Sequence, residues 1–145
     1  MEKLIPLISS DTEGPLGVKH LPRLWLKARL AASGRLPEGY KVIQPTFDTL
    51  VLEALKIDLE QARTYLLEQR PSYLEFEAWL RQQPGVDLSP GTIAEINRRI
   101  VERKKSPESC QRMLADIGLP TDTPIEQGVL LNNLDDWTTL HNSLS

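Results

Sequence analysis

Helix-start signals recur along this sequence, and they constrain the fold more than any other feature. In three places a capping residue is followed three positions later by Glu or Gln, the spacing of a capping box. These pairs are Asp58 with Gln61, Ser72 with Glu75, and Thr123 with Glu126. Ser89-Pro90 and Ser106-Pro107 add two starts, because serine caps well and proline suits the first helical turn. An opening helix with Pro22 at its first position is a further start.

The apolar residues that follow these starts have helical spacing. The stripes are Leu59, Ala62 and Leu66; Tyr73, Phe76, Trp79 and Leu80; Ile93, Ile96 and Ile100; and Cys110, Met113, Leu114 and Ile117. Gly118 and Pro84-Gly85 lie where two of these helices should end. The segment QPTFDTLVLEALKI is ambiguous, since its apolar run would also suit a buried strand, but its length, Glu53 and Ala54 favour a helix.

The pattern as a whole predicts an all-α protein. No long stretch alternates apolar and polar residues, and no strong hairpin dipeptide occurs, so we expect a compact bundle of about six to seven helices. A minor two-stranded element near Tyr40–Ile43 is the alternative at one place. The length of 145 residues suits a single helical domain over residues 1–145. Within it we expect a core over 14–105 and an acidic C-terminal helical extension over 106–145, which would form a small docked subdomain.

The composition excludes several classes of protein. A content of 40% apolar and 26% charged residues is globular, and a net charge of -3 gives no general affinity for nucleic acid. Cys110 is the single cysteine, which excludes an intrachain disulfide and favours the cytoplasm. The N-terminus lacks the apolar core of a signal peptide, and no apolar run is long enough to span a membrane. We expect no cofactor and no metal site.

Two cations on the opening helix are the main candidate site. Arg23 and Lys27 lie one turn apart, between an apolar face that contains Leu24 and Ala28 and another that contains Leu26. One interpretation is structural, with Asp48, Glu53 or solvent balancing their charge. The other is a ligand site, in which the guanidinium and the ammonium hold a phosphate or carboxylate close to the helix N-terminus.

Other reactive residues have simpler explanations. His20 directly precedes the opening helix and is the natural acid or base if the site is catalytic, although most such histidines only cap or contact water. Cys110 lies on an apolar stripe and is expected to be buried and unreactive. Asp135-Asp136 lacks enough neighbouring carboxylates for a cation cage and is interpreted as a helix start before Trp137. His141 has no companion ligand and receives no role.

Two further clusters have a structural and a binding interpretation. The basic run Arg98–Lys105 lies at a predicted helix C-terminus, where cations complement the helix dipole. Its alternative role is contact with nucleic acid, which the helix that follows supports poorly because Arg112 is its only cation. The aromatic stripe of Tyr73, Phe76 and Trp79 is most simply a core face, and a groove for a protein partner is the alternative.

Several stretches also resemble a known family. GPLGVKHLPRLWLKARLAASGRLPEGY, FDTLVLEALKIDLEQ, EFEAWLRQQ and SPGTIAEINRRI are similar to an uncharacterised bacterial family of small helical proteins, known only as a domain of unknown function. The signature is Leu21-Pro22-Arg23 with Lys27-Ala28-Arg29, and Lys56-Ile57-Asp58 replaces a Gly-Ile-Asp. The resemblance covers Gly14–Val101, and the tail resembles an extension found in some members. It implies a helical fold and no activity.

Together these observations favour a cytoplasmic, non-enzymatic binding or interaction module. Its ligand would be a small anion or a peptide carboxylate near Arg23, Lys27 and His20. An enzyme that acts on such an anion with His20 and Asp48 is one alternative. A nucleic-acid adaptor that uses Arg98–Lys105 is the second.

Overall fold

The computed structural model describes residues 2–144, and these residues form seven helices without a β-sheet. The helices are α1 (Leu21–Ala32), α2 (Phe47–Ala54), α3 (Leu59–Gln69), α4 (Tyr73–Arg81), α5 (Pro90–Glu102), α6 (Pro107–Asp116) and α7 (Gly128–Ser143). The fold is therefore the all-α bundle that the sequence predicts. None of the helices within 2–144 is long and apolar enough to cross a membrane.

Most of the predicted helix starts are confirmed, and the capping residues predicted at these starts form the expected hydrogen bonds. Ser72 forms the reciprocal capping box with Glu75 at the start of α4. The side chain of Asp58 accepts a hydrogen bond from the Gln61 amide at 2.9 Å. Ser89 and Ser106 cap α5 and α6 in the same way, each followed by proline in the first turn. The ambiguous apolar segment forms α2, as its length indicates.

The predicted helix start at Thr123 is wrong, because α7 begins five residues later at Gly128. The hydroxyl of Thr123 donates to the Pro120 carbonyl at 2.6 Å, within a turn, and does not cap a helix. Backbone hydrogen bonds then tie this segment to the α5–α6 connection. Lys105 N donates to Glu126 O at 2.9 Å, and Gly128 N donates to Arg103 O at 2.8 Å. This short antiparallel contact holds the chain extended until Gly128.

Two more local predictions differ from the structure. Asp135-Asp136 does not start a helix, since both residues lie inside α7 and Asp136 is buried. Residues 40–43 form no strand; they lie at and within a turn, where Ile43 has φ 57°. A left-handed residue of this kind interrupts the extended backbone that a strand needs.

Two apolar clusters hold the helices together. The larger one draws on α1 to α5 and includes the fully buried Leu24, Leu52, Leu66, Phe76 and Ile100. The smaller one consists of Cys110 and Leu114 on α6 and Leu131 on α7. Val129, also on α7, packs in the larger cluster, and α7 contacts α5 as well as α6. The C-terminal helices thus have a small core of their own and are docked on the rest of the chain.

Candidate functional site

The turn before α1 places the candidate residues. His20 has φ 77°, a left-handed conformation that is uncommon outside glycine, and its amide donates to Thr12 O at 3.0 Å. Pro22 lies in the first turn of α1, where its missing N–H interrupts no helical hydrogen bond. The helix therefore starts directly after His20. Arg23 and Lys27 lie one turn apart, and both side chains are buried.

Arg23 is the centre of a buried hydrogen-bond network. Its Nη1 and Nη2 donate to the two carboxylate oxygens of Asp136 at 2.6 and 3.1 Å. Nη1 also donates to the carbonyls of Pro6 and Ile8 at 2.9 and 3.0 Å. The hydroxyl of Tyr40 donates to Asp136 at 2.9 Å. Arg23 therefore joins the N-terminal segment, α1 and α7 through a bidentate pair that suits its planar guanidinium.

Lys27 belongs to a second network, which is centred on Asp48. Its Nζ donates to Asp48 Oδ2 at 2.7 Å, and the Gln44 amide donates to the same oxygen at 2.8 Å. His20 Nε2 lies 2.6 Å from Asp48 Oδ1, and His20 Nδ1 lies 2.9 Å from Ser10 Oγ. Both ring nitrogens of His20 are thus engaged within the chain. The Lys27 ammonium has three donors and uses one of them here.

Burial and charge act in opposite directions on this second network. Burial lowers the pKa of His20, so a neutral ring donates from Nε2 to Asp48 and accepts at Nδ1 from Ser10. Burial opposes ionisation of Asp48, but the hydrogen bond from His20 and the ammonium of Lys27 outweigh it and hold the pKa of this carboxyl at about 2. Burial also lowers the pKa of Lys27, against the attraction of Asp48.

A cleft of about 310 Å³ opens over the two networks, between α1, α2, α6 and α7. Its lining includes Lys27, Tyr40, Lys105, Arg112, Asn132 and Asp135. Within residues 2–144, neither Lys105 nor Arg112 forms an ion pair or a side-chain hydrogen bond. Burial and the neighbouring arginines lower the pKa of Lys105. The cleft therefore contains two cations whose charge no direct partner neutralises.

The charges around the cleft separate into paired and unpaired groups. Asp136 neutralises Arg23, and Asp48 neutralises Lys27. Lys105 and Arg112 then stand against the single carboxylate of Asp135, which leaves an excess of one positive charge. Lys105 is half-buried whereas Arg112 is exposed, so the charge of Lys105 acts on a small ligand more strongly than an exposed charge does.

The structure brings the predicted site residues together and gives each of them a partner within the chain. His20, Arg23 and Lys27 all line the cleft. Lys27 pairs with Asp48, as the structural interpretation proposes, whereas Arg23 pairs with Asp136 and not with Asp48 or Glu53. Three more members of the site were not recognised from the sequence, and they are Lys105, Arg112 and Asp135. The isolated position of Arg112 in an acidic tail was the available signal.

The basic run Arg98–Lys105 does not form one surface. Arg98 makes ion pairs with Glu95 and Glu102 on the exposed face of α5. Arg103 lies over the Phe47 ring, 5.7 Å from its centroid, and Lys104 is 3.7 Å from Glu126. Lys105 alone of these four cations lines the cleft. Arg98, Arg103 and Lys104 thus each have a separate local partner, and the cations of the run do not act as one group.

The remaining candidates lie away from the cleft. Cys110 is buried against Leu114, as expected for a small apolar residue. Phe76 is fully buried, while Trp79 stacks on Tyr65 with ring centroids 4.5 Å apart and lines an open groove on α3 and α4. Within residues 2–144, no group of three His, Cys, Asp or Glu side chains is placed to hold a metal ion. His141 is exposed near the end of α7.

Comparison with known proteins adds no identification. The chain matches neither a protein-family model nor a sequence among the curated proteins. The resemblance to an uncharacterised bacterial family through Leu21-Pro22-Arg23 and Lys27-Ala28-Arg29 accordingly stays a prediction. A functional interpretation therefore depends on the geometry of the cleft.

Proposed function

We propose that this protein is a small helical binding module that holds a small anion in the cleft between α1, α2, α6 and α7. The observation that carries the proposal is the pair of cations, Lys105 and Arg112, which line this cleft and form no ion pair within residues 2–144. A half-buried ammonium without a counter-ion is unfavourable, and a bound carboxylate or phosphate supplies that counter-ion.

The anion would contact three side chains. Arg112, on α6, offers a planar fork of donors, and Lys105, just before the start of α6, offers a compact charge. Lys27 lines the same cleft and retains two ammonium hydrogens after its bond to Asp48. Arg23 and His20 support the site from behind, because their polar atoms already bond to residues of the chain, namely Asp136, Asp48 and Ser10.

A catalytic role for His20 has weaker support. Ser10, His20 and Asp48 form a hydrogen-bonded chain with the composition of a hydrolytic triad. However, Ser10 is 1% exposed and does not line the cleft, so its hydroxyl cannot reach a substrate there. The neutral His20 is hydrogen-bonded to Ser10 and Asp48, so the proton within its reach is that of the buried Ser10 hydroxyl and not one of a molecule in the cleft. The chain of hydrogen bonds is better explained as the support of Asp48.

Binding of nucleic acid through Arg98–Lys105 is also poorly supported. The run offers a phosphate backbone no continuous row of cations, since Arg98 and Lys104 pair with glutamates. A protein partner that presents a C-terminal carboxylate is compatible with the cleft, because its terminal group has the chemistry of a small anion. We also propose a cytoplasmic location, on the ground that the single cysteine is a free and buried thiol.

Thermal shift measurements with inorganic phosphate, acetate, citrate and small 2-oxo acids test the proposal. A ligand that binds only the native state raises the melting temperature, by an amount that grows with concentration. We expect at least one of these anions to raise it for the parent protein. Lys105→Gln and Arg112→Gln should each lose that increase and remain folded, because in the described part of the chain neither cation forms an ion pair that the substitution would break.

Two matched controls remove the same charges outside the cleft. Lys104→Gln changes the adjacent lysine, which does not line this cleft, and Arg99→Gln changes an exposed arginine on α5. Both variants should retain the full increase in melting temperature. The proposal is contradicted if no anion stabilises the parent, or if the controls lose binding as completely as the cleft variants do.

A further inference from the structure

The walls of the cleft differ in charge, and this difference restricts the chemical class of ligand that the cleft can bind. On α6, Ser109, Arg112 and Met113 share one face because they are three and four residues apart. On α7, Asn132 and Asp135 are one turn apart and face the same space. The cations thus approach from the α6 side and the carboxylate from the α7 side. The cleft has a positive wall and a negative wall.

Asp135 also lacks a direct partner in the described chain, although the charges of Arg23 and Lys105 attract its carboxylate. Within residues 2–144 its carboxylate has no hydrogen bond and no ion pair, although it is half-buried. Burial raises the pKa of Asp135, and the nearby Asp136 carboxylate raises it further. Asn132 likewise has no side-chain hydrogen bond within the described part of the chain. A polar group that is withdrawn from water without a partner is unfavourable, so α7 presents unmet hydrogen-bonding capacity to the ligand.

A simple anion satisfies only one wall of the cleft. Held by Lys105 and Arg112, it would face the carboxylate of Asp135 across a cleft of about 310 Å³ and be repelled by it. A ligand that carries an ammonium beside its carboxylate removes this repulsion and gives Asp135 a partner. The amide of Asn132 can bond to either group.

The volume of the cleft and its apolar lining further restrict the class of ligand that it can hold. The volume lies at the lower end of the range of ligand pockets, which suits a single small metabolite better than a peptide. Phe47 and Met113 line the cleft beside the charged groups and supply apolar contact for a side chain. An ammonium, a carboxylate and a modest apolar side chain are the features of an α-amino acid.

We propose that the cleft binds a free α-amino acid with an apolar side chain, its carboxylate held by Lys105 and Arg112 and its ammonium held by Asp135. This inference rests on the proposed anion site and adds the ammonium as the determinant of specificity. Arg23 and Lys27 then position the walls of the cleft, with Lys27 free to donate a second hydrogen bond to the carboxylate.

The experiment compares three probes that differ by one group. The twenty standard amino acids are first screened by thermal shift, and we expect an apolar one to raise the melting temperature. That amino acid is then compared by calorimetry with its 2-hydroxy acid, which lacks the ammonium, and its amide, which lacks the carboxylate. Because each missing group leaves a charged wall without its partner, we expect both analogues to bind at least tenfold more weakly.

Substitution of Asp135 tests the amino-acid inference independently of the anion proposal, because it removes the partner of the ammonium and keeps both cations. In Asp135→Asn the amino acid and the 2-hydroxy acid should bind equally well, because the negative wall is gone. The variant should fold, since the substitution also removes the repulsion between Asp135 and Asp136. Asp122→Asn, which removes an exposed carboxylate outside the cleft, should keep the parent's preference.

The binding results distinguish failure of the amino-acid inference from failure of the anion site. If the 2-hydroxy acid, acetate or phosphate binds the parent as tightly as every amino acid does, the amino-acid inference is overturned while the anion site stands. The same follows if Asp135→Asn retains the preference for the amino acid. If no amino acid and no anion binds, both proposals fail.

Discussion

Replacing Arg23 by methionine should destabilise the protein more than any change of an exposed cation. Methionine fills much of the space of the arginine stem but leaves the buried Asp136 with Tyr40 as its remaining donor. It also leaves the carbonyls of Pro6 and Ile8 without the guanidinium. Removal of one partner from a buried ion pair typically costs about 3–5 kcal/mol. A domain of this size has about 5–15 kcal/mol of stability in total, so the loss should be a large and measurable fraction of it.

Urea denaturation followed by far-UV circular dichroism measures this loss, and a double-mutant cycle assigns it. Asp136→Leu should also be strongly destabilising, because it leaves the buried guanidinium of Arg23 without its counter-ion. The double variant should lose less than the sum of the two single losses, since it buries no unpaired charge. Arg98→Met is the control, because Arg98 pairs with two glutamates on the surface and its loss should leave the denaturation midpoint unchanged.

Two results would refute this reasoning. One is a loss for Arg23→Met below about 1 kcal/mol, which is the range of exposed ion pairs. The other is additivity of the two single losses in the double variant, which would mean that Arg23 and Asp136 contribute independently.

Two further predictions concern stability. The pKa of His20 is lower in the folded state than its ordinary value of 6.5, so the unfolded chain binds more protons and stability should fall as pH drops below about 6.5. Urea denaturation midpoints measured between pH 5 and 8 should show this slope for the parent and for the control His141→Gln. The slope should disappear in His20→Asn, a variant chosen because asparagine tolerates the positive φ of this position. An equal slope in all three proteins would contradict the assignment to His20. Gly14→Ala should lower the melting temperature by the equivalent of about 1–3 kcal/mol, because a Cβ there would lie 2.8 Å from Glu77 Oε2. Gly91→Ala, where a Cβ meets nothing within 4 Å, should be neutral or stabilising, and similar melting curves for the two variants would be inconsistent with the packing at Gly14.

The sequence predicts the helices well because the interactions that start them are local. Ser72 and Glu75 satisfy each other's backbone amides within one turn, and no distant residue is needed to recognise the pattern. The failure at Thr123 has the opposite cause. The same spacing occurs there, but backbone hydrogen bonds from Lys105 and Gly128 to the facing segments hold the chain extended. A tertiary contact overrides a local signal, and nothing within four residues of Thr123 reveals it.

The residues of the candidate site show the same difference between local and distant interactions. Arg23 and Lys27 stand out in the sequence because cations at adjacent turns of an apolar helix require compensation. Asp48 is a natural partner, since the following helix packs against α1. Asp136 is 113 residues from Arg23, and its place inside α7 is recognisable only once the docking of that helix is known. Lys105 and Arg112 join the cleft for the same reason, through the packing of α6 and α7.

The cleft contains two kinds of cation, which come from distant segments of the chain: those paired with a buried carboxylate and those without an ion pair in the described residues. Arg23 and Lys27 are paired with buried carboxylates, so their charges fix the positions of α1, α2 and α7 and leave little field for a ligand. Lys105 is also withdrawn from water and lies near Arg103 and Arg112, which lower its pKa further. Asp135 attracts its ammonium, but within residues 2–144 Lys105 forms no ion pair. Such a group makes the unliganded protein less stable than a neutral residue at the same position would. An unfavourable charge that faces a cleft, beside the paired networks of Arg23 and Lys27, is what we expect if the proposed anion site gives up stability for binding.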